Sequence, residues 1–319
     1  MTGRRFDHAA LIVDSDDTLR RRLLPVLRTH LAAGEPVLLV VGTHTEKVIR
    51  ASLEERARGL EWGDPGAFYQ RLGFAFQGFR RYLAEQHAAG RSVHVIAEPD
   101  VRTDLAAPVD RVAAYLTYES MCNEAYAGFG CPVTCVWDSR RHPTLVIEGV
   151  RSLHDHELTD AGREANPTFV TTTEYLAGRA QVAMPPAPAL VEVDLHLLDR
   201  GGLAGMRASV QAWCRKEGFT DQAGADVLIA ASEIAGNGLT HGSPPVRVRG
   251  WRYADTLVVQ VDDHGGRPVP PAAGYRRPDE PATSGYGLWL ARQLADVLTT
   301  HTGEGVTRVR MYFPRSVMT

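Results

Sequence analysis

One helix-like stretch in the last third of the chain limits what the sequence can fold into. Residues 226–242 read DVLIAASEIAGNGLTHG, and their apolar side chains recur with a period of about 3.6, which is typical of an amphipathic α-helix. Thr220 and Asp221 supply an N-cap signal. The sequence Gly-Ser-Pro-Pro, which begins at Gly242, ends the run. The pattern predicts one helix with an apolar face.

The polar side chains of this helix fall into one stripe. Glu233, Asn237 and His241 stand four residues apart, so successive side chains lie on the same face. A carboxamide oxygen is a hard ligand for Mg²⁺, and a neighbouring carboxylate can orient or deprotonate a nucleophile. The stripe therefore fits a magnesium–phosphate site. Taken by itself, however, the stripe is more typical of the alternative, a solvated helix face with a capping histidine near its C-terminus.

Further segments follow this helix in a definite order. Strand-like runs at 246–251 and 257–261 lead into the sequence DDHGG at 262–266. A loop rich in Pro, Gly and Arg comes next, and the sequence SGYGL at 284–288 opens an apolar helix predicted to run through Val297. The order is thus a Glu-x3-Asn helix, an Asp-x-Gly turn, a loop and a Gly-x-Gly helix start.

This ordered set resembles the N, G1 and G2 boxes of the Bergerat-type (GHKL, histidine-kinase-like) ATPases, the superfamily of gyrase, the histidine kinases and the anti-sigma-factor kinases. The spacing from Ser232 to Gly242 is most similar to the anti-sigma-factor serine kinases, because sensor histidine kinases usually carry a lysine-containing ending to this box. The resemblance covers about residues 190–319. The patterns predict a strand at 191–198, a helix at 203–217 and a closing hairpin of strands at 297–301 and 305–313. Together with the Glu/Asn helix they predict an α/β sandwich, a mixed sheet with helices on one face.

The resemblance assigns the adenine end of an ATP site to three residues. Asp263 would accept a hydrogen bond from the exocyclic amine of adenine, whereas guanine offers an acceptor at that position. Gly265 would allow a tight backbone turn beneath the base. Thr307 matches the strand threonine that usually supports the adenine end.

The same resemblance assigns the phosphate end. Gly285 and Gly287 would allow close backbone approach, and the helix that they open would offer free N–H groups to the phosphates. Asn237 would ligate Mg²⁺ between the phosphates, and Glu233 would orient or deprotonate the attacking hydroxyl. His241 belongs to the same box and is counted with the nucleotide-binding residues.

Several features depart from the family pattern. Gly236 and Gly238 flank Asn237, and each costs about 1 kcal/mol relative to alanine in a helix interior, so we expect a loosened helix. The G1 box continues as Gly-Arg-Pro from Gly266 and lacks its second glycine. Residues 266–284 contain three arginines and are expected to be mobile without nucleotide. Their interpretation stays open between an arginine that reaches the γ-phosphate and a solvated loop.

Length, charge and hydropathy bound the class of protein. A chain of 319 residues predicts two domains, and a hydrophobic fraction of 44% is ample for two buried cores. The net charge of −3 and the lack of a basic block give no support for direct nucleic-acid binding. The apolar run at 36–41 is strand-sized, far short of the ~20 residues that a membrane span needs. We therefore expect a cytoplasmic protein with no membrane association.

Strand-like and helix-like segments alternate in the first half. Strands separated by long helices predict a parallel sheet covered on both faces. No nucleotide is expected after the second strand, because the sequence GTHTEK at 42–47 lacks the second glycine and the Gly-Lys-Ser/Thr ending of a phosphate loop. The predicted strands are 6–13, 37–41, 92–96 and 132–137, and the predicted helices are 18–33, 43–58, 67–90 and 109–127.

Spread-out features of this half resemble a sensory domain first described in a regulator of dichloromethane metabolism, the MEDS-type (DcmR-like) domain. They are the strand that begins near His8 with its Asp-Ser-Asp-Asp turn, the helix segment 118–123, the strand end 135–138 and the pair His142-Pro143. The match spans residues 5–165 approximately. It implies a RecA-like fold that has lost its nucleotide loop and serves as a signal input, with a small molecule as a candidate ligand.

Two groups of polar residues in this half are candidates for a site. Glu119 and Asn123 stand at i and i+4 and face either a ligand or, as the commoner explanation, solvent on an exposed helix face. Cys131 and Cys135, with histidines at 142, 154 and 156 downstream, suggest a zinc site. Because this spacing is loose, the interpretation favoured for all four cysteines of the chain is that of buried thiols.

A proline cluster separates the two halves. The sequence MPPAPAL at 184–190 cannot sustain a helix or a central strand, and it is typical of a short semi-rigid spacer. We predict a sensory domain at 1–178, a linker at 179–189 and a histidine-kinase-like ATPase domain at 190–319.

The sequence favours an anti-sigma regulatory factor. Bound to Mg-ATP, it would hold an alternative sigma factor inactive and would phosphorylate a STAS-type anti-anti-sigma partner on Ser/Thr, as a protein serine/threonine kinase. The alternative is a non-catalytic binding module that sequesters its partner, with ATP structural or absent. A homodimer is a further candidate. A histidine kinase is disfavoured, because no convincing pair of dimerisation helices with a phosphoacceptor histidine precedes the ATPase region.

Overall fold

The computed structural model describes residues 6–65, 71–99, 110–180, 184–278 and 285–315. The chain divides into two compact units, one of residues 1–69 and 75–175 and the other of residues 70–74 and 176–319. The start of the helix predicted at 67–90, residue 109 and Ser284 lie outside the described residues. Within the described ranges, no helix is long and apolar enough to cross a membrane.

A seven-stranded sheet lies at the centre of the first unit. Its strands are β1 (His8–Val13), β2 (Val37–Val40), β3 (Glu61–Trp62), β4 (His94–Ala97), β5 (Val133–Asp138), β6 (His156–Thr159) and β7 (Gly162–Ala165). They follow the order β3-β2-β4-β5-β1-β6-β7. The strand pairs are parallel, except that β6 and β7 form an antiparallel hairpin. The predicted parallel sheet is confirmed, with a hairpin added at one edge.

Helices cover both faces of this sheet. They are α1 (Asp16–Ala33), α2 (Thr43–Leu53), α3 (Leu72–Ala88), α4 (Asp110–Ala125), α5 (Thr144–Leu153) and α6 (Thr172–Ala180), with 3-10 helices at 54–59 and 127–129. On one face, Leu11 of β1 packs in a buried apolar cluster with Leu23 of α1. On the other, His8 of β1 is hydrogen-bonded to Asn123 of α4. Glu119 is 2% exposed and Asn123 is half-buried, so the exposed-face interpretation of these two residues is wrong.

A five-stranded sheet forms the second unit. Its strands are β8 (Val193–Leu197), β9 (Val246–Tyr253), β10 (Thr256–Asp263), β11 (Val297–Gly303) and β12 (Val306–Pro314), in the order β11-β12-β10-β9-β8. All of the pairings between these strands are antiparallel. The prediction of a mixed sheet is wrong, because the long helical connection from β8 to β9 returns the chain in the opposite direction.

Three helices pack against this sheet, namely α7 (Gly202–Lys216), α8 (Asp221–His241) and α9 (Tyr286–Leu294). Their apolar side chains share one buried core with the strands, as for Val227 and Ile234 of α8 with Val248 of β9. The helix predicted to run through Val297 ends at Leu294, because Ala295 adopts an extended conformation. Val297 then begins β11.

Several elements between residues 144 and 180 were not predicted. The helices α5 and α6 are ten and nine residues long, and β6 and β7 have four residues each with mostly half-buried or exposed side chains. The short, partly exposed strands show little periodicity in sequence, and strand pairing defines them instead. The helix α5 does bury Val146, Ile147, Val150 and Leu153 at helical spacing, a helical signal that the sequence contains.

Candidate functional site

Glu233 and Asn237, two of the residues predicted at the phosphate end, both face the start of α9. Both side chains are half-buried on α8. A β-carbon at Gly287, in the first turn of α9, would lie 2.8 Å from Glu233 Oε2 and 2.9 Å from Asn237 Nδ2. The two polar groups therefore point at the backbone of Gly287. The structure brings together the predicted N and G2 boxes, which are separated by about fifty residues in sequence.

Gly285 caps the N-terminus of α9. It adopts φ 105° and ψ −19°, a backbone conformation that residues other than glycine rarely adopt. The turn ends there, and the helix begins at Tyr286. The first N–H groups of a helix have no partner within the helix and carry a partial positive charge. The first turn of α9 thus offers anion-binding groups beside Glu233 and Asn237.

Asp263 occupies the last position of β10, next to the C-terminus of α8. Its Oδ1 accepts a hydrogen bond of 2.8 Å from the backbone N–H of Gly265. A β-carbon at Gly242 would lie 2.3 Å from the same oxygen, and one at Gly265 would lie 2.8 Å from Gly242 Cα. These contacts require small residues, since a side chain at either glycine would displace the turn. The predicted Asp-x-Gly turn therefore fits against the end of the helix.

Thr307 lies beside Asp263 on the neighbouring strand. The two residues are directly paired between β10 and β12, and Thr307 is 5% exposed. Its hydroxyl donates a hydrogen bond of 2.8 Å to the carbonyl of Arg267. In this structure Thr307 thus fixes the first residues of the loop that follows the Asp-x-Gly turn.

Gly266 explains how the G1 turn works without the second glycine of the family pattern. It adopts φ 59°, and its β-carbon position would lie 3.1 Å from Gly305 Cα. Both the positive φ and the close backbone approach favour glycine at this position. The glycine that the loop requires is therefore one residue earlier than the pattern predicts.

His241 lies at the exposed end of the helix that carries Glu233 and Asn237. It is the last residue of α8 and is exposed. Among the residues that the structure describes, its side chain has no hydrogen-bond partner. Its assignment to the nucleotide site stays a prediction.

The helix α8 is continuous through the two glycines that flank Asn237. A β-carbon at Gly238 would lie 3.1 Å from Val246 Cγ2 and 3.5 Å from Asp263 Cβ, whereas one at Gly236 would have no heavy atom within 4 Å. Gly238 therefore allows α8 to lie close to the strands that carry Asp263. The expected loosening of the helix is not seen.

Arg292 is a site residue that sequence reasoning missed. It is 8% exposed, and burial lowers the pKa of its guanidinium. The guanidinium donates hydrogen bonds to the carbonyls of Ala273 (2.9 Å) and Leu298 (3.1 Å) and lies 4.2 Å from the centre of the Tyr275 ring. It ties the loop after the Asp-x-Gly turn to α9 and β11. The signal in the sequence is a single arginine within the otherwise apolar helix YGLWLARQL.

Arg277 is the loop arginine with described contacts to α9. Its guanidinium lies 5.9 Å from the centre of the Tyr286 ring and 5.7 Å from that of Trp289. Cations within about 6 Å of an aromatic face are attracted to it. The loop therefore packs near the first turn of α9 at Arg277, while residues 279–284 lie outside the described ranges.

A buried polar network crosses the sheet next to the site. Arg310 donates to Gln260 Oε1 at 2.8 Å, and the amide of Gln260 donates to Asp262 Oδ1 at 2.7 Å. Arg249 donates to the other carboxylate oxygen of Asp262, and Arg310 also donates to the carbonyl of Pro185. The network positions the strand immediately before Asp263 and was not predicted, because its members are spread over three strands.

Two family models match the chain, one in each half. Residues 7–155 match a family model described as the MEthanogen/methylotroph, DcmR Sensory domain (MEDS). Residues 198–313 match a model described as the Histidine kinase-like ATPase domain. Both domain resemblances predicted from the sequence are confirmed. A comparison with curated proteins gives no match.

Two solved structures resemble parts of the chain. One contains the RsbU and RsbW domains of Rv1364c from Mycobacterium tuberculosis, with 20% identity and a TM-score of 0.29, over 40% of this chain and 33% of that one. The other is the SiaB-SiaC complex from Pseudomonas aeruginosa, with 13% identity and a TM-score of 0.32, over 38% of this chain and 89% of that one. The chain thus spans about a third of the first of these structures. It consists of a MEDS sensory domain at residues 7–155 followed by a histidine kinase-like ATPase domain at residues 198–313.

Proposed function

We propose that this protein is an anti-sigma regulatory factor. In this proposal the second unit binds Mg-ATP, sequesters an alternative sigma factor and phosphorylates a STAS-type anti-anti-sigma partner on serine or threonine. The first unit is its signal input. The observation that carries the proposal is the convergence of Glu233 and Asn237 on Gly287 at the N-terminus of α9.

The residues present fit a magnesium nucleotide. The cradle at Gly287 is one that a side chain would fill, and the N-terminus of α9 supplies the groups that bind phosphate elsewhere. Asn237 can offer its amide oxygen to Mg²⁺. When bound, ATP supplies the phosphoryl group and an electrophilic phosphorus.

Glu233 is the catalytic residue of the proposal. Its carboxylate is half-buried and faces the backbone of Gly287, close to where the phosphates would lie. From there it can accept the proton of a serine or threonine hydroxyl from the partner protein and hold that hydroxyl in line. Its Oε2 is the atom that would hold the proton.

Asp263 is proposed to select adenine. One of its oxygens already accepts from Gly265 N–H at 2.8 Å, which fixes the plane of the carboxylate. The remaining acceptor capacity can receive the exocyclic amine of adenine. Guanine presents an acceptor at that position, so a carboxylate there disfavours it.

A non-catalytic binding module remains the second candidate function. It is favoured by the exposure of His241, whose side chain has no hydrogen-bond partner among the described residues. In this candidate the second unit binds its partner through its surface and transfers no phosphate.

Calorimetry of the full chain with Mg-ATP tests the nucleotide site. We expect Asn237→Asp, which replaces a neutral ligand by a carboxylate facing the phosphates, and Asp263→Asn, which loses an acceptor for the adenine amine, to weaken binding greatly. Far-UV circular dichroism should be unchanged for both variants. Equal ATP affinity in the wild type and in both variants would remove these residues from the site.

Co-purification of the full chain with mass spectrometry of the bound proteins tests the partner assignment. We expect a sigma factor and a STAS-type protein, with the balance between them dependent on Mg-ATP. Recovery of neither, in the presence and in the absence of nucleotide, would contradict the regulatory part of the proposal.

A further inference from the structure

Four potential metal ligands meet in the core of the first unit. His8 opens β1, Glu119 lies on α4, Cys135 lies on β5 and His154 directly follows α5. Their relative exposures are 1%, 2%, 3% and 0%. One ligand atom from each residue lies within 4.8 Å of the others. Among the predicted zinc candidates only Cys135 and His154 belong to this group.

Three distances within the group are close to the edges of a tetrahedron. His8 Nε2 is 3.4 Å from Cys135 Sγ, His154 Nε2 is 3.5 Å from Glu119 Oε1, and His8 Nε2 is 3.9 Å from the same oxygen. Bonds of ~2.0 Å to nitrogen or oxygen and ~2.3 Å to sulfur around a tetrahedral zinc ion give edges of roughly 3.3–3.5 Å. Two of the three distances already have this length, and the ligand atoms of the whole group lie within 4.8 Å of one another, so a contraction around the ion would complete the geometry.

Both imidazole rings are oriented from behind by acceptors. His8 Nδ1 lies 2.9 Å from Asn123 Oδ1, and Asn123 Nδ2 donates to the carbonyl of Leu153, which fixes the direction of the amide. His154 Nδ1 lies 2.8 Å from the carbonyl of Val150. Each ring therefore carries its proton on Nδ1 and presents the Nε2 lone pair to the centre of the group, the arrangement usual for histidine ligands.

The centre of the group contains two polar atoms to which a cation would bind. Glu119 Oε1 and His154 Nε2 are buried without a hydrogen-bond partner among the described residues. With His154 protonated on Nδ1, these two atoms are both acceptors at 3.5 Å. Burying unpaired acceptors in this way is costly. The second carboxylate oxygen of Glu119 is held by the Tyr115 hydroxyl at 3.2 Å, which aims Oε1 at the centre.

We propose that the first unit binds a divalent transition-metal ion of the zinc class through His8 Nε2, Glu119 Oε1, Cys135 Sγ and His154 Nε2. Two neutral imidazoles, one carboxylate and one thiolate carry two negative charges, which neutralise a divalent ion in a buried site. The mixed nitrogen, sulfur and oxygen ligands suit Zn²⁺ better than Mg²⁺ or Ca²⁺. Coordination releases the thiol proton to solvent, with no change in oxidation state.

The ion would join four elements of the fold at one point. The parallel pairing of β1 with β5 places Ala10 opposite Cys135, and because His8 and Ala10 are two residues apart, His8 and Cys135 face the same side of the sheet. The helix α4 and the residue that directly follows α5 supply the other two ligands from that side. All four positions of a tetrahedron come from the protein, which is typical of a structural ion.

Cobalt titration of the untagged, chelator-treated full chain tests the site. We expect one Co²⁺ per chain, with the strong visible absorption of a tetrahedral ion and a thiolate-to-cobalt charge-transfer band that Zn²⁺ displaces. Without an ion, the alternative is a proton-sharing cluster in which Cys135 donates to His8. Absence of any bound Co²⁺ or Zn²⁺ by the wild-type chain would establish that alternative and overturn the proposal.

Matched cysteine variants separate this site from adventitious binding. Cys135→Ala should abolish the charge-transfer band, whereas Cys131→Ala should retain it, since Cys131 is equally buried but lies outside the group. A band that survives Cys135→Ala would contradict the assignment. Asn123→Ala, which removes only the partner of His8 Nδ1, should weaken Co²⁺ affinity about 10–100-fold. The Asn123→Ala variant tests the site even if Cys135→Ala fails to fold. Unchanged Co²⁺ affinity in Asn123→Ala would contradict the proposal.

Discussion

The backbone of Gly287 lies directly against the carboxylate of Glu233, so that a β-carbon at residue 287 would stand 2.8 Å from Glu233 Oε2. Side chains do not tolerate so close an approach, and glycine is the residue that permits it. Because residue 287 has no side chain, α8 and the first turn of α9 lie close together. The helix α8 carries the proposed Mg²⁺ ligand, and the N–H groups of α9 are proposed to bind phosphate.

Substitution of Gly287 should therefore affect nucleotide binding through this spacing. In Gly287→Ala the added methyl must displace Glu233 and Asn237 or push α9 away. Overpacking of this kind costs about 1–3 kcal/mol, and each 1.4 kcal/mol is tenfold in affinity. We expect Mg-ATP affinity to fall about tenfold or more, as measured by calorimetry on the full chain.

Gly236→Ala is the matched control on the facing helix. A β-carbon there meets no heavy atom within 4 Å, and alanine is favoured over glycine in a helix interior by about 1 kcal/mol. ATP affinity should be unchanged and thermal stability slightly raised. If both substitutions weakened binding equally, the spacing between α8 and α9 would not be the cause.

A carboxylate occupies the position after β2 at which a phosphate loop would bind phosphate. Glu98 Oε2 accepts a hydrogen bond of 2.8 Å from the backbone N–H of Gly42, and Glu98 is 9% exposed. The donor that a phosphate loop would offer is thus already paired with a negative charge, which would repel a phosphate. We expect one ATP per chain by calorimetry, and no second binding event in Asn237→Asp, which weakens only the site in the other unit. A second nucleotide, or binding that depends on Lys47, would contradict this.

The boxes of the ATPase domain could be predicted because their chemistry is local in sequence. Glu233 and Asn237 are one helical turn apart, and Asp263 ends a strand beside a glycine turn, so period and turn signals place them. Arg292 could not be placed, because its role depends on the carbonyls of Ala273 and Leu298. Periodicity does not show which backbone a buried arginine will meet.

The four-ligand group of the first unit illustrates the same limit over a longer range. His8 and Cys135 are 127 positions apart and become neighbours only because β1 pairs with β5. Strand order in a parallel sheet is not encoded in the pattern of any one strand. The same holds in part for the second sheet, where the strands and the closing hairpin of β11 with β12 were predicted, whereas the antiparallel pairing of the other strands was not.

Acid sensitivity is expected from a buried histidine, His94, that contacts a half-buried one, His30, in the first unit. His94 lies with Nδ1 2.8 Å from His30 Nε2, and burial, together with the charge of His30, lowers the pKa of His94 from 6.5 to about 3. The unfolded chain therefore binds more protons than the folded one between these two pH values. Folding stability should fall as pH drops through this window, by at most about 1.4 kcal/mol per pH unit from this residue.

Thermal unfolding measured between neutral and mildly acidic pH checks this dependence. His94→Gln keeps a polar side chain but removes the titrating group, so its melting temperature should fall less steeply on acidification than that of the wild type. His87→Gln replaces an exposed histidine of the same unit and should leave the slope unchanged. Identical slopes in all three proteins would show that His94 contributes nothing to acid sensitivity.

Glu233→Gln separates a kinase from a binding module. The amide keeps the size of the side chain beside Gly287 but cannot accept the proton of an attacking hydroxyl. Loss of a positioned general base typically lowers a rate about 10²–10⁴-fold, so radiolabel transfer from ATP to the co-purified STAS-type partner should fall by that amount. Sigma-factor binding should persist, because that surface need not include the base. If the wild type transfers no phosphate to any co-purified partner yet binds a sigma factor, the kinase assignment is wrong and the second unit acts as a sequestering module.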